Sequence, residues 1–234
     1  MTPVAVVTGA AGGLGSAVVA ALAQQGWGIV AVDLVEGSGT GEWVQGDVRD
    51  DATLRRALKV ASELGQLGGL VTATLAEGKA PLDELDTRVI ADVLEAQVGA
   101  AWAWTAAAVE AGASSVVHVS SVHAQRAKAG MAAYAMGKAA LDALVRAAAV
   151  EWGPRGVRCN AVLPGFVPVE RNRARWSDPA AAEELLNHHP LRRFVTAADV
   201  AEVVAFLLGP QARAVTGVSL PVDGGMLAQL PDWA

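Results

Sequence analysis

Short apolar segments of strand length alternate along the whole chain with longer segments of helical periodicity. The apolar segments predict strands at residues 4–7, 28–33, 43–45, 69–73, 115–120, 157–163 and 218–222. The periodic segments predict helices at residues 13–25, 51–64, 86–111, 132–152, 179–187 and 197–208. Strands that alternate with helices form a parallel sheet with helices on both faces. We therefore expect an α/β fold with a doubly wound, seven-stranded parallel sheet.

The segment between the second and third predicted strands is too short for a helical crossover. Gly37, Gly39 and Gly41 punctuate residues 34–42, which show no helical pattern. A crossover through a helix takes about a dozen residues or more, so a bare loop is expected here. Elsewhere no segment rich in proline or serine interrupts the alternation, which predicts a single domain over residues 1–234.

The composition narrows the classes of function. Of the 234 residues, 53% are hydrophobic and 18% are charged, which provides a large core and excludes intrinsic disorder. The formal net charge of −6 argues against a nucleic-acid partner, because nucleic-acid binders usually present a basic face to phosphates. Small molecules are the expected partners.

Two further features bear on location and on metal binding. The apolar runs fall short of the roughly 20 residues that span a membrane, and residues 1–4 lack the basic segment of a signal peptide. We therefore expect a cytoplasmic protein without a membrane partner. The single cysteine, Cys159, excludes an internal disulfide and a multi-cysteine zinc site, and no metal site is predicted.

A glycine-rich turn follows the first predicted strand and opens the first predicted helix. Its sequence is Thr8-Gly9-Ala10-Ala11-Gly12-Gly13-Leu14-Gly15. Glycine permits positive φ and a close approach of the backbone to a ligand, and a helix N-terminus presents unpaired N–H groups to an anion. The turn predicts a pyrophosphate site, although an ordinary tight turn also uses glycine. The predicted contacts are Gly9, Gly12, Gly13, Leu14 and Gly15.

Asp33 ends the second predicted strand about 20 residues after the glycine turn. A carboxylate in this position accepts hydrogen bonds from the adenosine ribose of a dinucleotide and repels a 2′-phosphate. Gly12 offers no positive charge to such a phosphate, and no Lys or Arg follows Asp33 before Arg49. The charge pattern favours NAD over NADP, and a solvated carboxylate at a strand end is the alternative interpretation.

A phenol and an ammonium group lie one helical turn apart in the predicted helix 132–152. Tyr134, which is the only tyrosine of the chain, and Lys138 are four residues apart and share a helix face. Ser121 follows the fifth predicted strand at the carboxyl edge of the sheet, where open α/β sheets bind ligands. These three side chains are therefore expected to converge.

The order and spacing of these motifs resemble the classical short-chain dehydrogenase/reductase family over nearly the whole chain. The matching positions are Thr8-Gly9-x-x-x-Gly13-x-Gly15, Ser121, Tyr134-x-x-x-Lys138, Asn160 with Pro164-Gly165, and Thr216-Gly217 with Val222-Asp223-Gly224-Gly225. The resemblance implies a Rossmann-type fold and hydride transfer between nicotinamide and a carbon that bears a hydroxyl or carbonyl group. It also implies that Ser121 binds the substrate oxygen and that Tyr134 is the acid/base. Lys138 would lower the pKa of the phenol from its ordinary value of about 10 and hold the nicotinamide ribose.

The same resemblance implies further contacts with the NAD cofactor. They lie beside the adenine ring, after the fourth strand and after the sixth strand. These residues are Asp47, Val48, Thr72, Ala73, Pro164, Gly165 and Val167.

Three positions around the expected cofactor depart from the family pattern. The segment Thr72-Ala73-Thr74-Leu75 replaces Asn-Asn-Ala-Gly, so Leu75 adds bulk near the nicotinamide ribose. Gln97 stands in place of an asparagine on a water-linked proton path. It either assists catalysis by preserving the water or only satisfies backbone groups in a packed helix. Pro168 and Val169 replace a threonine, and a catalytically silent, dinucleotide-binding scaffold stays open as a second class of function.

Residues 166–191 are expected to form a mobile lid over the substrate, whereas residues 1–165 mainly bind the cofactor. Three arginines lie within residues 171–175 of this acidic chain. They predict either recognition of a carboxylate or another anion, or a solvated helical face. The predicted substrate-binding residues are His123, Gln125, Phe166, Arg173 and Trp176.

The class of substrate follows from the reaction that the family resemblance implies, and a secondary alcohol or a ketone is expected. The arginine-rich segment, residues 156–160 and the short loop after Asp33 are also similar to the 2,3-dihydro-2,3-dihydroxybenzoate dehydrogenases of the same family. A carboxylated cyclic diol is therefore the alternative substrate.

Apolar residues cover more than one face of the helices predicted at 86–111 and 132–152, including Trp102, Trp104 and Trp152. This apolar surface is larger than one sheet face can cover. We therefore expect a homo-oligomer. The family resemblance implies a tetramer, and a dimer is the alternative.

Overall fold

The computed structural model of the protein describes residues 2–230. The strands are β1 Pro3–Thr8, β2 Gly28–Asp33, β3 Glu42–Gln45, β4 Gln66–Thr72, β5 Ser115–Val119, β6 Arg158–Pro164 and β7 Ser219–Val222. The helices are α1 Gly13–Gln24, α2 Asp51–Leu64, α3 Thr87–Leu94, α4 Ala100–Glu110, α5 Ala132–Trp152, α6 Pro179–Leu186 and α7 Ala197–Leu208. Within residues 2–230 the seven strands form one parallel sheet in the order β3-β2-β1-β4-β5-β6-β7. This confirms the doubly wound α/β fold in a single domain.

The sheet separates two hydrophobic cores because helices cover both of its faces. Residues of α2, α4 and α5 pack on one face, and residues of α1 and α7 pack on the other. Successive residues of a strand point to opposite faces, so Val4 and Val6 lie in the first core and Ala5 and Val7 in the second. Strands buried on both faces read as continuous apolar runs, which is the pattern seen in the sequence.

The loop between β2 and β3 contains no helix, as predicted. The indole of Trp43 lies over this loop, and its Nε1 atom donates to the Gly39 carbonyl at 3.1 Å. A Cβ atom on Gly37 would lie 2.2 Å from the Trp43 ring. Gly37 therefore lets the chain pass close to the tryptophan.

The prediction of one continuous helix over residues 86–111 is wrong in its middle. A π-helical turn, Glu95–Gly99, separates α3 from α4. Such turns insert one extra residue into a helix and frequently occur at functional sites. The apolar periodicity of the sequence does not signal the insertion.

The apolar surface predicted on these helices is smaller than the sequence indicates. Trp104 is buried in the core against the sheet and Trp152 packs partly against the same core, whereas Trp102 is 57% exposed. No helix within residues 2–230 is long and apolar enough to cross a membrane.

Candidate active site

The glycine-rich turn connects β1 to α1 at the carboxyl edge of the sheet. Gly9 has a φ of 72°, and the amides of Gly9 and Ala10 both donate to the Val32 carbonyl of β2. A Cβ atom on Gly9 would lie 2.5 Å from the Ala73 carbonyl oxygen, and one on Gly15 would lie 2.0 Å from the Gly9 carbonyl oxygen. Because both neighbours are backbone atoms, the packing requires glycine at these two positions.

The first turn of α1 is open to an anion. Gly12, the N-cap residue, provides no side-chain cap, and the turn contains no acidic residue. The amides of Gly13, Leu14 and Gly15 are therefore the orphan N–H groups of a helix N-terminus. A Cβ on Gly12 would meet only the Gly9 carbonyl oxygen within 4 Å, at 3.3 Å. This open, glycine-lined turn fits the pyrophosphate of a dinucleotide.

Asp33 lies at the end of β2, directly beside the glycine turn. Its carboxylate accepts hydrogen bonds from the amide of Ala11 at 2.9 Å and from the amide of Val35 at 3.4 Å. The side chain is thereby held between the turn and the loop to β3. A negative charge consequently lies where the adenosine ribose of a dinucleotide is predicted to bind.

Two side chains that the sequence analysis did not assign to the cofactor site, those of Arg49 and Trp104, hold the predicted adenine segment. Arg49 donates to both carboxylate oxygens of Asp47, at a shortest distance of 2.6 Å, and keeps the pKa of that carboxyl below its usual range. The Nε1 atom of Trp104 donates to the Val48 carbonyl at 2.7 Å, which ties the segment to α4. A buried tryptophan usually has a hydrogen-bond partner for its N–H group. This requirement could have identified Trp104 as a residue that holds a neighbouring segment.

Thr72 and His118 form a buried pair across β4 and β5. They are register partners, and the Thr72 Oγ1 atom lies 2.7 Å from His118 Nδ1. Burial, together with the nearby Lys138 cation, lowers the pKa of His118 to about 3. The imidazole is therefore neutral at physiological pH. Sequence reasoning missed His118, whose signal is a histidine within an otherwise apolar strand.

The backbone after β4 follows the glycine turn closely. The Ala73 amide donates to the Thr8 carbonyl at 2.9 Å, and the Ala73 carbonyl lies against Gly9. Leu75, which was expected to add bulk near the cofactor, is 46% exposed. Its side chain is therefore not packed into the hydrophobic core, and its effect on cofactor binding stays a prediction.

Ser121, Tyr134 and Lys138 converge at the carboxyl end of β5. The Ser121 Oγ atom accepts a hydrogen bond from the His123 amide at 3.2 Å. Tyr134 lies in the first turn of α5, and its ring meets the His123 ring edge to face at 5.6 Å. The Lys138 Nζ atom lies 5.7 Å from the centroid of the Tyr134 ring. The structure thus brings together the three predicted catalytic side chains and one predicted substrate-binding residue.

The ionisation of Tyr134 differs from the expectation. Burial raises the pKa of this phenol above its ordinary value, the Ser121 hydroxyl opposes the rise, and the Glu77 carboxylate adds to it. The lowering of this pKa by Lys138, which the family resemblance implies, is therefore not observed. The Lys138 ammonium donates to the Val119 carbonyl at 2.8 Å, and burial lowers its own pKa to about 8. Burial is thus the largest influence on the pKa of the phenol.

Gln97 lies in the π-helical turn and is almost completely buried. Its Nε2 atom donates to the Ala76 carbonyl, whereas its Oε1 atom has no hydrogen-bond partner within the described part of the chain. A Cβ atom on Gly137 would lie only 2.6 Å from this Oε1 atom. Gly137, between Tyr134 and Lys138 on α5, therefore provides the space that the glutamine occupies.

We expect Gly137→Ala to lower the free energy of unfolding by about 1–3 kcal/mol, because overpacking of a filled interior costs about this much. Gln97→Asn removes one methylene and should recover part of the loss in the double variant. A double-mutant cycle measured by urea unfolding gives the coupling energy. Gly153→Ala is the matched control, since a Cβ there meets no atom within 4 Å. Additive effects at 97 and 137 would contradict the contact.

The segment after β6 reaches back to the glycine turn. The Gly165 amide, next to Pro164 at the end of β6, donates to the Val222 carbonyl at 3.1 Å. A Cβ atom on Gly13 would lie 2.5 Å from the Cγ1 atom of Val169. Val169 therefore contacts the start of α1, so the predicted lid begins directly over the predicted cofactor site.

A small polar network fixes this part of the predicted lid. Asn172 donates from Nδ2 to the Val167 carbonyl at 2.8 Å and accepts from the Val169 amide at 2.9 Å. The Trp176 Nε1 atom donates to Asn172 Oδ1 at 2.8 Å. Trp176 was predicted to contact the substrate. Its N–H group is hydrogen-bonded to Asn172, another residue of the lid.

The remaining predicted substrate residues occupy different environments. Phe166 packs against Phe194 with ring centroids 5.6 Å apart. Gln125 is exposed, and Arg173 is exposed in an ion pair with Glu170 at 3.4 Å. The structure therefore gives Phe166 a packed position and leaves Gln125 and Arg173 on the surface.

Comparison with known proteins agrees with this arrangement. A family model described as enoyl-(acyl carrier protein) reductase matches residues 9–227. Among similar proteins, cis-4-hydroxycyclohexanecarboxylate dehydrogenase of Sinomonas cyclohexanicum is 35% identical over 96% of each chain. L-xylulose reductase of Mus musculus is 34% identical, also over 96% of each chain.

The solved structures include a variant of a Serratia marcescens short-chain dehydrogenase/reductase with a TM-score of 0.87. It is 29% identical and covers 96% of this chain and 97% of its own. The motif order, the sheet topology and these relatives lead to one assignment. The chain belongs to the short-chain dehydrogenase/reductase family and is an oxidoreductase that acts on CH–OH and C=O groups with a nicotinamide cofactor.

Proposed function

We propose that the protein transfers a hydride between NAD(H) and a secondary alcohol or ketone, with Tyr134 as the acid/base. The observation that carries this proposal is the convergence of Ser121, Tyr134 and Lys138 at the carboxyl edge of a sheet whose first helix has an open N-terminus. A bound nicotinamide cofactor supplies or accepts the hydride. The chain itself binds the substrate oxygen and moves its proton.

In the reducing direction, the Tyr134 hydroxyl donates a proton to the substrate oxygen while Ser121 holds that oxygen by a hydrogen bond. A phenol whose pKa is raised by burial is protonated at neutral pH, so it is ready to donate. Lys138, with a pKa of about 8, carries its charge at neutral pH and stabilises the phenolate that remains. The oxidising direction uses the same groups in reverse, and Gln97 assists as a positioning group.

The NAD cofactor is assigned to residues along the glycine turn, the adenine segment and the strand ends. Its pyrophosphate is proposed to lie at the first turn of α1, and its adenosine ribose at Asp33. The proposed contacts are Gly9, Gly12, Gly13, Leu14, Gly15, Asp33, Asp47, Val48, Thr72, Ala73, Tyr134, Lys138, Pro164, Gly165 and Val167.

The choice of NAD over NADP is tested by titration of the purified protein with NADH and with NADPH, followed through tryptophan fluorescence. We expect NADH to bind at least tenfold more tightly, about 1.4 kcal/mol. Asp33→Asn keeps an oxygen acceptor for the Ala11 amide but removes the negative charge, and it should abolish most of this preference. A variant that retains the full preference would show that the Asp33 charge does not select the cofactor.

The same titration, followed by an assay of turnover, separates the enzyme from the catalytically silent scaffold, which would bind the nucleotide without oxidising an alcohol. If neither nucleotide binds, the changed segment after β4 and the Val169 contact on Gly13 have closed the cofactor cleft. If NADH binds, a screen of secondary alcohols with NAD becomes the direct assay of the proposed reaction.

Among secondary alcohols, a ring alcohol that carries a carboxylate is the proposed substrate class. The name of the Sinomonas relative describes such a compound, and three arginines lie within residues 171–175 of a chain with a net charge of −6. A carboxylated cyclic diol is included in this class. The homo-tetrameric or dimeric assembly and the cytoplasmic location stay predictions from the sequence.

A further inference from the structure

The three arginines of the lid differ in their ionic partners. Arg171 pairs with Glu77 at 2.8 Å, and Arg173 pairs with Glu170 at 3.4 Å. Arg175 forms no ion pair with any residue between 2 and 230. Of the three, Arg175 is therefore the cation whose charge is not already matched by a carboxylate of the chain.

Arg175 is exposed, as Arg171 and Arg173 are, but its guanidinium has a defined position. Its guanidinium carbon lies 5.0 Å from the centroid of the Phe166 ring, which is a cation–π distance. Phe166 follows Pro164-Gly165 at the end of β6 and packs in turn against Phe194. A guanidinium that rests on an aromatic face is oriented by that face and keeps its N–H donors for another partner.

The Arg175 cation is tied through Phe166 to the carboxyl end of β6, and β6 neighbours β5, which ends at the catalytic candidates. The cation is close enough to His123 to help lower the pKa of that imidazole, after the larger effect of burial and together with Lys128. His123 in turn contacts the Tyr134 ring edge to face. Arg175 therefore lies near His123, whereas Arg171, which lies near Tyr134, is already paired with Glu77.

We propose that Arg175 binds the carboxylate of the substrate, while Phe166 and His123 flank its ring and Tyr134 meets its hydroxyl group. A planar guanidinium donates two parallel hydrogen bonds to a carboxylate, which would fix the orientation of a ring alcohol. The inference rests on the proposed function, because it names the anion-binding side chain of the same site. It replaces Arg173, the arginine that the sequence analysis selected.

The test compares cis-4-hydroxycyclohexanecarboxylate with cyclohexanol as substrates in the presence of NAD. We expect the wild-type protein to prefer the carboxylate by at least tenfold in kcat/KM. Arg175→Met retains an apolar chain against Phe166 but removes the charge, and it should reduce this ratio at least tenfold. Arg213→Met is the matched control, because Arg213 is an exposed arginine between α7 and β7, at the opposite edge of the sheet.

Arg173→Met is the rival variant. If it lowers the ratio and Arg175→Met does not, the assignment to Arg175 is overturned. Arg175→Lys keeps a positive charge without the planar fork and should give an intermediate ratio. Equal oxidation of both compounds by the wild-type protein would also overturn the inference while leaving the proposed reaction intact.

A binding measurement separates failure of this inference from failure of the proposed function. Cyclohexanecarboxylate has no hydroxyl group to oxidise, so its affinity for the protein mixed with NADH is measured by calorimetry without turnover. Binding that falls at least tenfold in Arg175→Met supports the inference even if no alcohol is oxidised, in which case only the proposed reaction fails. Equal affinities for the wild-type protein and Arg175→Met, or no binding to either, overturn the inference.

Discussion

Tyr134→Phe is expected to lower kcat for alcohol oxidation by about 10²–10⁴-fold, the contribution typical of a positioned acid/base group. The substitution removes only the hydroxyl group, so the aromatic ring keeps its edge-to-face contact with His123. The Tyr134 hydroxyl belongs to only one of the fifteen proposed cofactor contacts, and the turn that is proposed to hold the pyrophosphate lies on other elements, β1 and α1. The dissociation constant of NADH should therefore change by no more than about twofold, as measured by fluorescence titration.

Lys138→Met provides the contrast to this variant. The Lys138 ammonium is buried and donates to the Val119 carbonyl, and it is proposed both to stabilise the phenolate and to hold the nicotinamide ribose. Its loss should therefore weaken NADH binding as well as turnover. If Tyr134→Phe oxidises the substrate as fast as the wild-type protein, Tyr134 is not the acid/base and the mechanism fails.

The helix ends were predictable from the sequence where local side chains cap them. Asp50 accepts a hydrogen bond from the Ala52 amide at the start of α2, and Thr196 and Asp199 form a capping box at the start of α7. Such caps depend on residues within one turn, so both helices begin where the pattern predicts.

The π-helical turn was not predictable in this way. It contains Gln97, whose amide donates to the Ala76 carbonyl of a distant segment and whose oxygen faces Gly137 of α5. Neither contact leaves a trace in the periodicity of α3 and α4. The glutamine was noticed only because it departs from the family pattern.

Some residues of the candidate site were likewise predictable from the sequence, and others were not. Ser121, Tyr134 and Lys138 were predictable because helical spacing and the carboxyl edge of a parallel sheet fix their relative positions. Arg175 was not, because the path of the lid decides which of three neighbouring arginines has a carboxylate partner. The direction of the Tyr134 pKa was also missed, since burial depends on packing that the sequence does not display.

Gly15→Ala is expected to open the glycine turn and to abolish cofactor binding. The new Cβ atom would lie 2.0 Å from the Gly9 carbonyl oxygen and 2.9 Å from the Ala10 Cα atom. Gly9 cannot move away, because it packs directly against the Ala73 carbonyl. A Cβ atom on Gly9 would lie 2.5 Å from that carbonyl oxygen. We expect the free energy of unfolding to fall by about 3 kcal/mol, the upper range for overpacking, and the NADH dissociation constant to rise at least 100-fold.

Gly12→Ala is the matched control for stability, because it adds the same methyl group three residues earlier in the turn. The Gly12 φ of −69° suits alanine, and the new Cβ would meet a single atom at 3.3 Å. A contact at 3.3 Å is tight but is relieved by a shift of a few tenths of an ångström, so the free energy of unfolding should fall by less than about 1 kcal/mol. Urea unfolding of both variants measures the difference. Equal stabilities would contradict the close approach of Gly15 to Gly9, and with it the tight turn on which the proposed pyrophosphate site depends.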